Sequence, residues 1–231
     1  METKIHSFLM AGQSNMAGRG ILSAKTVLDT NNCFMLRMGR WQPLHEPVNP
    51  DRPESGASLS SSFAQCYHSS TTSPVGLIPC ADGGTSISQW QRGELLFDHA
   101  VFQAKLAMRT SELKGILWHQ GEYDCLDPQD LLAYPTRFFT VMTSFRQELG
   151  DVPILLGELG YPENGFTFTQ PDWIHQFNAQ LAELASQLPL CAIVSAKGLY
   201  CQGDQLHFDT PSLREFGRRY YQKWEELQAS V

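Results

Sequence analysis

Five short apolar runs, each followed by a stretch with helical spacing, are the feature that most restricts what this chain can fold into. They lie at residues 4–10, 74–80, 113–118, 152–157 and 190–195. Runs of strand length separated by amphipathic segments read as βα units. The helical segments are 57–68, 95–111, 130–149, 170–187 and 211–228, with Pro211 suited to the first turn of the last. Parallel neighbours need crossover connections, which are right-handed, so the pattern predicts an α/β fold with a five-stranded parallel sheet and helices on both faces. A chain of 231 residues buries a substantial core without disulfide or metal staples, so one domain over 1–231 is expected.

Three of the five runs end in a turn that contains glycine. The first breaks into Ala11-Gly-Gln-Ser-Asn-Met-Ala-Gly18, the second into Ala81-Asp-Gly-Gly-Thr85, and the third into His119-Gln-Gly-Glu122. In a parallel sheet these turns share the carboxyl edge, where open α/β sheets bind ligands. Glycines allow close backbone approach, so Ser14 at the end of the first strand has the makings of a nucleophile whose own N–H helps hold an oxyanion. Taken alone, Gly-Gln-Ser-Asn is equally an ordinary turn.

A fourth element is Asp204-Gln-Leu-His207, directly before the last helix. An acid three residues before a histidine on a tight turn accepts from the ring Nδ1–H, which leaves Nε2 free to take a proton from a serine. Asp209 is a less natural partner. Glu122 is a second candidate, with orienting Gln120 or Arg19 as its other possible task.

The net charge is −7, and the 17 basic residues form no run that would suit a nucleic acid. No stretch approaches the length and apolarity of a membrane span, and the N-terminus has no secretory pattern, so a cytoplasmic protein without a membrane partner is expected. The six cysteines include no C-x-x-C pair, which favours free thiols. The seven histidines show no ligand spacing, so neither a metal nor another cofactor is called for. Residues 27–53, rich in Asn, Pro, Gly and Arg, read as a long excursion over the active-site edge that carries specificity. Trp41, Trp90, Tyr123, Tyr161, Phe166 and Trp173 fall in or beside loops, where aromatic faces suit sugar rings as well as plain packing.

These four blocks, from Gly12-Gln-Ser-Asn15 through Gly83-Gly84-Thr85 with Trp90 and Trp118-His-Gln-Gly-Glu122 to Asp204-x-x-His207, resemble those of the SGNH-hydrolase superfamily. Within it they resemble the branch of sialate O-acetylesterase-like proteins and family 6 carbohydrate acetylesterases. The resemblance runs from residue 8 to residue 208. It implies a three-layer α/β/α, flavodoxin-like fold with strand order 2-1-3-4-5, and a serine esterase that removes acetyl groups from a sugar ester. By the same resemblance Ser14, His207 and Asp204 are the catalytic residues. The N–H of Ser14, the N–H of Gly84 and the side-chain amide of Gln120 form the oxyanion hole, with Gly83, Glu122 and Arg19 in support. Gln120 stands where the wider superfamily has asparagine, and His119 where relatives often carry an aromatic. A general short-chain carboxylesterase or thioesterase on the same site, and a sugar-binding protein without catalysis, are the alternatives.

Overall fold

The computed structural model describes residues 4–26 and 28–229. Its centre is β1, Ile5–Gly12, which lies parallel to β4, Val75–Pro79, on one side and to β5, Ser111–His119, on the other. Phe8, Leu9, Met10 and Ala11 are all fully buried, as a strand covered on both faces requires. Successive side chains point to opposite faces. Phe8 and Met10 enter a core with α2, Leu59–Thr71, and α6, Thr210–Ala229. Leu9 and Ala11 enter the other core with α3, Leu95–Ala107, α4, Pro128–Leu149, and α5, Pro171–Gln187. This is the three-layer α/β/α arrangement expected from the sequence.

Beyond β5 the sheet continues in parallel through β6, Ile154–Gly157, to β7, Cys191–Val194. The five expected strands therefore stand in the order β4-β1-β5-β6-β7, which is the expected 2-1-3-4-5. The strand count needs correction, because the sheet has seven strands. The two extra ones come from the 27–53 stretch that the sequence reads as an excursion; its first residue, Val27, lies outside the described residues. They are β2, Cys33–Arg37, parallel to β4, and β3, Arg40–Pro43, antiparallel to β2. Between them Met38 and Gly39 both take positive φ, 51° and 70°. That is the primed hairpin geometry, which fits the twist of two adjacent strands and usually announces itself as Asn-Gly or Asp-Gly. Met in the first position hid it.

The last helix is pinned to the sheet centre. Tyr220 Oη donates to the Trp118 carbonyl at 2.8 Å, and Trp224 Nε1 donates to the Lys114 carbonyl at 3.0 Å. The loop between β7 and α6 is thereby delivered to the carboxyl edge of β1. All six cysteines are free.

Candidate functional site

Ser14 begins a four-residue helical turn, α1, Ser14–Ala17, immediately after β1. The strand end is held to β5 by Gln13 N–H donating to the His119 carbonyl at 2.9 Å. Gly12 sits at φ +123°, and a Cβ there would lie 2.0 Å from the His119 oxygen, so glycine is required where the two strands converge.

His207 arrives from the loop after β7. Its Nδ1 lies 2.7 Å from Asp204 Oδ2, and its Nε2 lies 3.0 Å from Ser14 Oγ. An ionised carboxylate is acceptor-only, so Nδ1 carries the proton and Nε2 faces the hydroxyl as a base. Burial opposes ionisation of Asp204. The N–H of His207, the Gln202 amide and the N–H of Leu206 outweigh it and hold the carboxyl well below the usual range. Asp209 caps the start of α6 instead, accepting from Ser212 N–H at 2.8 Å.

These residues open onto a cleft of about 460 Å³ that is lined by Gln13, Ser14, Gly83, Gly84 and His207, with Arg19, Arg52, Glu54 and Glu122 around them and Tyr123, Leu126, Phe168 and Leu206 on its apolar side. Among the described residues neither the Ser14 N–H nor the Gly84 N–H has an acceptor. Gly84 takes φ +75°, which turns the chain at the cleft edge. The N–H of Gly83 is already committed, donating to Asp51 Oδ2 at 2.8 Å. A Cβ on Gly83 would sit 2.5 Å from Arg19 Nη2, so this glycine makes room for the arginine.

Gln120 is fully buried and does not line the cleft. Its Nε2 lies 2.5 Å from Asp124 Oδ2 and 3.0 Å from the Thr85 carbonyl, with Gln13 Oε1 a more distant third acceptor at 3.3 Å, so its two amide hydrogens are shared among three protein acceptors. The expected reach of this side chain towards the ester is therefore not what the structure presents. Burial pushes the Asp124 carboxyl up to about 6.

The amide that does face the cleft is that of Gln13, a residue of the first turn that the sequence pattern does not mark. Its Oε1 is surrounded by three donors, Gln120 Nε2 at 3.3 Å and the N–H groups of Gly121 and Tyr123 at 3.4 Å each. They fix which end of the amide is oxygen. Its Nε2 has no acceptor among the described residues.

Glu122 orients neither Gln120 nor Arg19. Its Oε1 accepts from Asn15 Nδ2 at 2.6 Å. Asn15 in turn straddles the histidine, donating to the Leu206 carbonyl at 3.2 Å and accepting from the Phe208 N–H at 3.2 Å. One side chain next to Ser14 thus grips the chain on both sides of His207.

His119 lies behind this clamp, fully buried, and stays away from the cleft. Its Nε2 donates to the Glu158 carbonyl at 3.1 Å, its ring packs edge-on against Phe208 and Phe216, and burial lowers its pKa. Nδ1 stands 3.4 Å from Glu122 Oε1.

Arg19 is oriented by Asp51, a member of the 27–53 stretch. The pair is bidentate at 3.0 and 2.7 Å, with side chains only 3% and 5% exposed. Burial disfavours the Asp51 anion, but the Arg19 side chain and the Gly83 N–H reverse that and lower its pKa. The stretch does reach the cleft, through Arg52, with Glu54 lining it just past the end of the stretch, while its middle builds the far sheet edge. Of the six loop aromatics only Tyr123 lines the cleft, joined by Phe168. Trp90, Tyr161 and Phe166 are buried in the two cores, and Trp41 and Trp173 pack against one of them.

Among the described residues no three His, Cys, Asp or Glu side chains converge as a metal site, and no helix is long and apolar enough to cross a membrane.

The sequence pattern described as carbohydrate esterase, sialic acid-specific acetylesterase, matches residues 4–226. A "probable carbohydrate esterase" of Arabidopsis thaliana is 28% identical over 232 residues, covering 91% of this chain and 86% of that protein. Among solved structures, a protein from Arabidopsis thaliana superposes with a TM-score of 0.85 at 26% identity, covering 96% of this chain and 98% of that one. A carbohydrate acetylesterase from Xanthomonas citri superposes with a TM-score of 0.73 at 18% identity, covering 98% of this chain and 57% of that one. The latter likeness is one of fold.

Proposed function

The chain belongs to the carbohydrate esterase, sialic acid-specific acetylesterase family and is a carboxylic ester hydrolase of the carbohydrate acetylesterase type, and from that premise we propose that it removes acetyl groups by two-step transfer through Ser14. The observation that carries the reading is the hydrogen-bonded chain Ser14–His207–Asp204, at 3.0 and 2.7 Å, beside two unclaimed backbone N–H groups in one cleft.

His207 Nε2 takes the Ser14 Oγ proton as Oγ attacks the acetyl carbonyl. Asp204, held ionised, keeps the ring in the required tautomer and stabilises the imidazolium. The carbonyl oxygen becomes an oxyanion, which the N–H groups of Ser14 and Gly84 receive. The third donor we assign to Gln13 Nε2, because it faces the cleft with no acceptor of its own, while the hydrogens of Gln120 are taken. Gln120 then supports the hole from behind by holding Gln13 Oε1 and the Thr85 carbonyl. The imidazolium gives its proton to the departing sugar oxygen, and a water activated by the same His207 cleaves the acetyl–Ser14 ester.

The apolar lining of the cleft is the short set Tyr123, Leu126, Phe168 and Leu206, which supports a short acyl group. The test is hydrolysis of 4-nitrophenyl esters from acetate to octanoate and of an acetylated xylo-oligosaccharide, by the wild type and by Ser14→Ala. Acetate should be fastest, the oligosaccharide should lose acetate, and the variant should be inactive. A variant equal to wild type would remove Ser14 from the reaction.

A further inference from the structure

The charges around the cleft bear on which sugar it accepts, an inference that rests on the acetylesterase reading of the same site. Arg19 and Arg52 are the arginines along its lining, which holds no lysine among the described residues, and both are engaged. Arg19 gives Nη1 to Asp51 Oδ1, the Gly18 carbonyl and Ser55 Oγ, and Nη2 to Asp51 Oδ2. Arg52 holds Asp82 Oδ1 at 2.7 Å and donates to the carbonyls of Asp51 and Gly83.

The acids are not balanced in the same way. Glu54 is exposed on the cleft wall and, among the described residues, has no cationic partner. Glu122, which also lines the cleft, has Asn15 Nδ2 on one oxygen and no donor on the other. The histidine beside it, His119, is kept neutral by burial. Among the described residues the lining thus carries two carboxylates without a cationic partner, Glu54 and Glu122, beside two arginines whose charges are already matched by Asp51 and Asp82 behind the wall. The whole chain carries −7 as well.

A ligand carboxylate entering such a site would lose hydration, would meet only arginines already paired with Asp51 and Asp82, and would share the cleft with Glu54 and Glu122. A neutral sugar meets no such penalty. Its hydroxyls can accept from Gln13 Nε2, and its ring has Tyr123 and Phe168 to lie against.

We infer that the site selects neutral acetylated sugars over acetylated sugars that bear a carboxylate, and that Glu54 is the residue setting this preference.

The experiment compares two substrates that differ in the carboxylate charge and one methyl group, 9-O-acetyl-N-acetylneuraminic acid and its methyl ester, with an acetylated methyl xyloside as a neutral reference. Acetate release is the readout, so hydrolysis of the methyl ester itself is not counted. In kcat/KM the methyl ester should exceed the free acid by about fivefold at low salt, the order expected for one like charge across a partly solvated cleft. The gap should narrow at 0.5 M salt as the repulsion is screened. Glu54→Gln should lower the ratio towards one, and Glu54→Lys should invert it. Equal or faster turnover of the free acid by the wild type would overturn the inference while leaving the acetylesterase intact, and so would a ratio indifferent to Glu54→Gln. Acetate release from none of the three substrates would remove the acetylesterase reading, and this preference with it.

Discussion

Asn15→Ala is the substitution through which the clamp on His207 can be measured. It deletes the contact to Glu122 Oε1 at 2.6 Å, the contact to the Leu206 carbonyl at 3.2 Å and the acceptor for the Phe208 N–H at 3.2 Å. Asn15 and Glu122 are 1% and 2% exposed, so water does not replace what is lost. Two neutral hydrogen bonds contribute about 1 kcal/mol each and one to a carboxylate about 1.5–3, which totals roughly 3–5 kcal/mol. For a chain of this size that corresponds to a fall in Tm of about 10–15 °C.

Activity should fall independently of stability, because the loop that aims His207 Nε2 at Ser14 loses its anchor. A displacement near 1 Å costs about 100-fold in rate, and it should appear in kcat at temperatures where the variant is fully folded. Asn15→Asp separates the two roles of the side chain. It keeps an acceptor for Phe208 N–H but sets a carboxylate against Glu122, so it should be no more stable than the alanine variant. Thermal unfolding and initial rates on 4-nitrophenyl acetate provide both readings. A Tm within 2 °C of wild type together with kcat within twofold would show that the grip on His207 lies elsewhere.

Three further outcomes follow from the geometry. Gln13→Glu keeps an oxygen for the Gly121 and Tyr123 N–H groups but replaces the donor facing the cleft with an acceptor. It should lower kcat about 100-fold with little change in KM, the loss typical of one oxyanion donor, and steady-state kinetics would decide. Asp204→Asn should reduce kcat by about 10³-fold or more with the fold retained, because the amide no longer selects the Nδ1–H tautomer; circular dichroism alongside the rate distinguishes this from unfolding. Asp124 titrates at about 6 in the fold against 3.8 for an unburied group, so the folded chain holds this proton more tightly than the unfolded one. Its contribution to stability is therefore full below about pH 4 and lost as pH rises through about 6, a change of roughly 3 kcal/mol. Denaturant unfolding from pH 4 to 8 should show that slope in the wild type and not in Asp124→Asn.

What could be read from the residues divides along the range of the interactions. The five parallel strands were legible because each is a continuous apolar run buried on both faces and closed by a turn. The β2–β3 hairpin was not, since its turn places Met38 at positive φ, a position that sequence patterns assign to Asn, Asp or Gly. Asp204 and His207 lie three apart on one turn, so their contact could be argued locally. The partners of Asn15 could not, because Glu122 is 107 positions away and Phe208 193. The orientation of Gln120 was hidden for a related reason. Its neighbour Asp124 lies four residues on, but the Thr85 carbonyl that also accepts from it comes from another strand end. The place of Glu122 in the third turn marks it, but its neighbours Asn15 and His119 do not follow from that, since nothing in the sequence states which buried polar groups will meet behind a cleft.

The central claim is that the acetyl group passes through Ser14. Its most direct test is the intact mass of the enzyme quenched in acid during turnover of an acetyl ester, followed by peptide mapping. The mechanism predicts a population heavier by one acetyl group, carried by the peptide containing Ser14, absent in Ser14→Ala and accumulating in a His207→Ala variant if any acylation persists there. Turnover with no covalent acetyl on Ser14, or with the label on another residue, would contradict it.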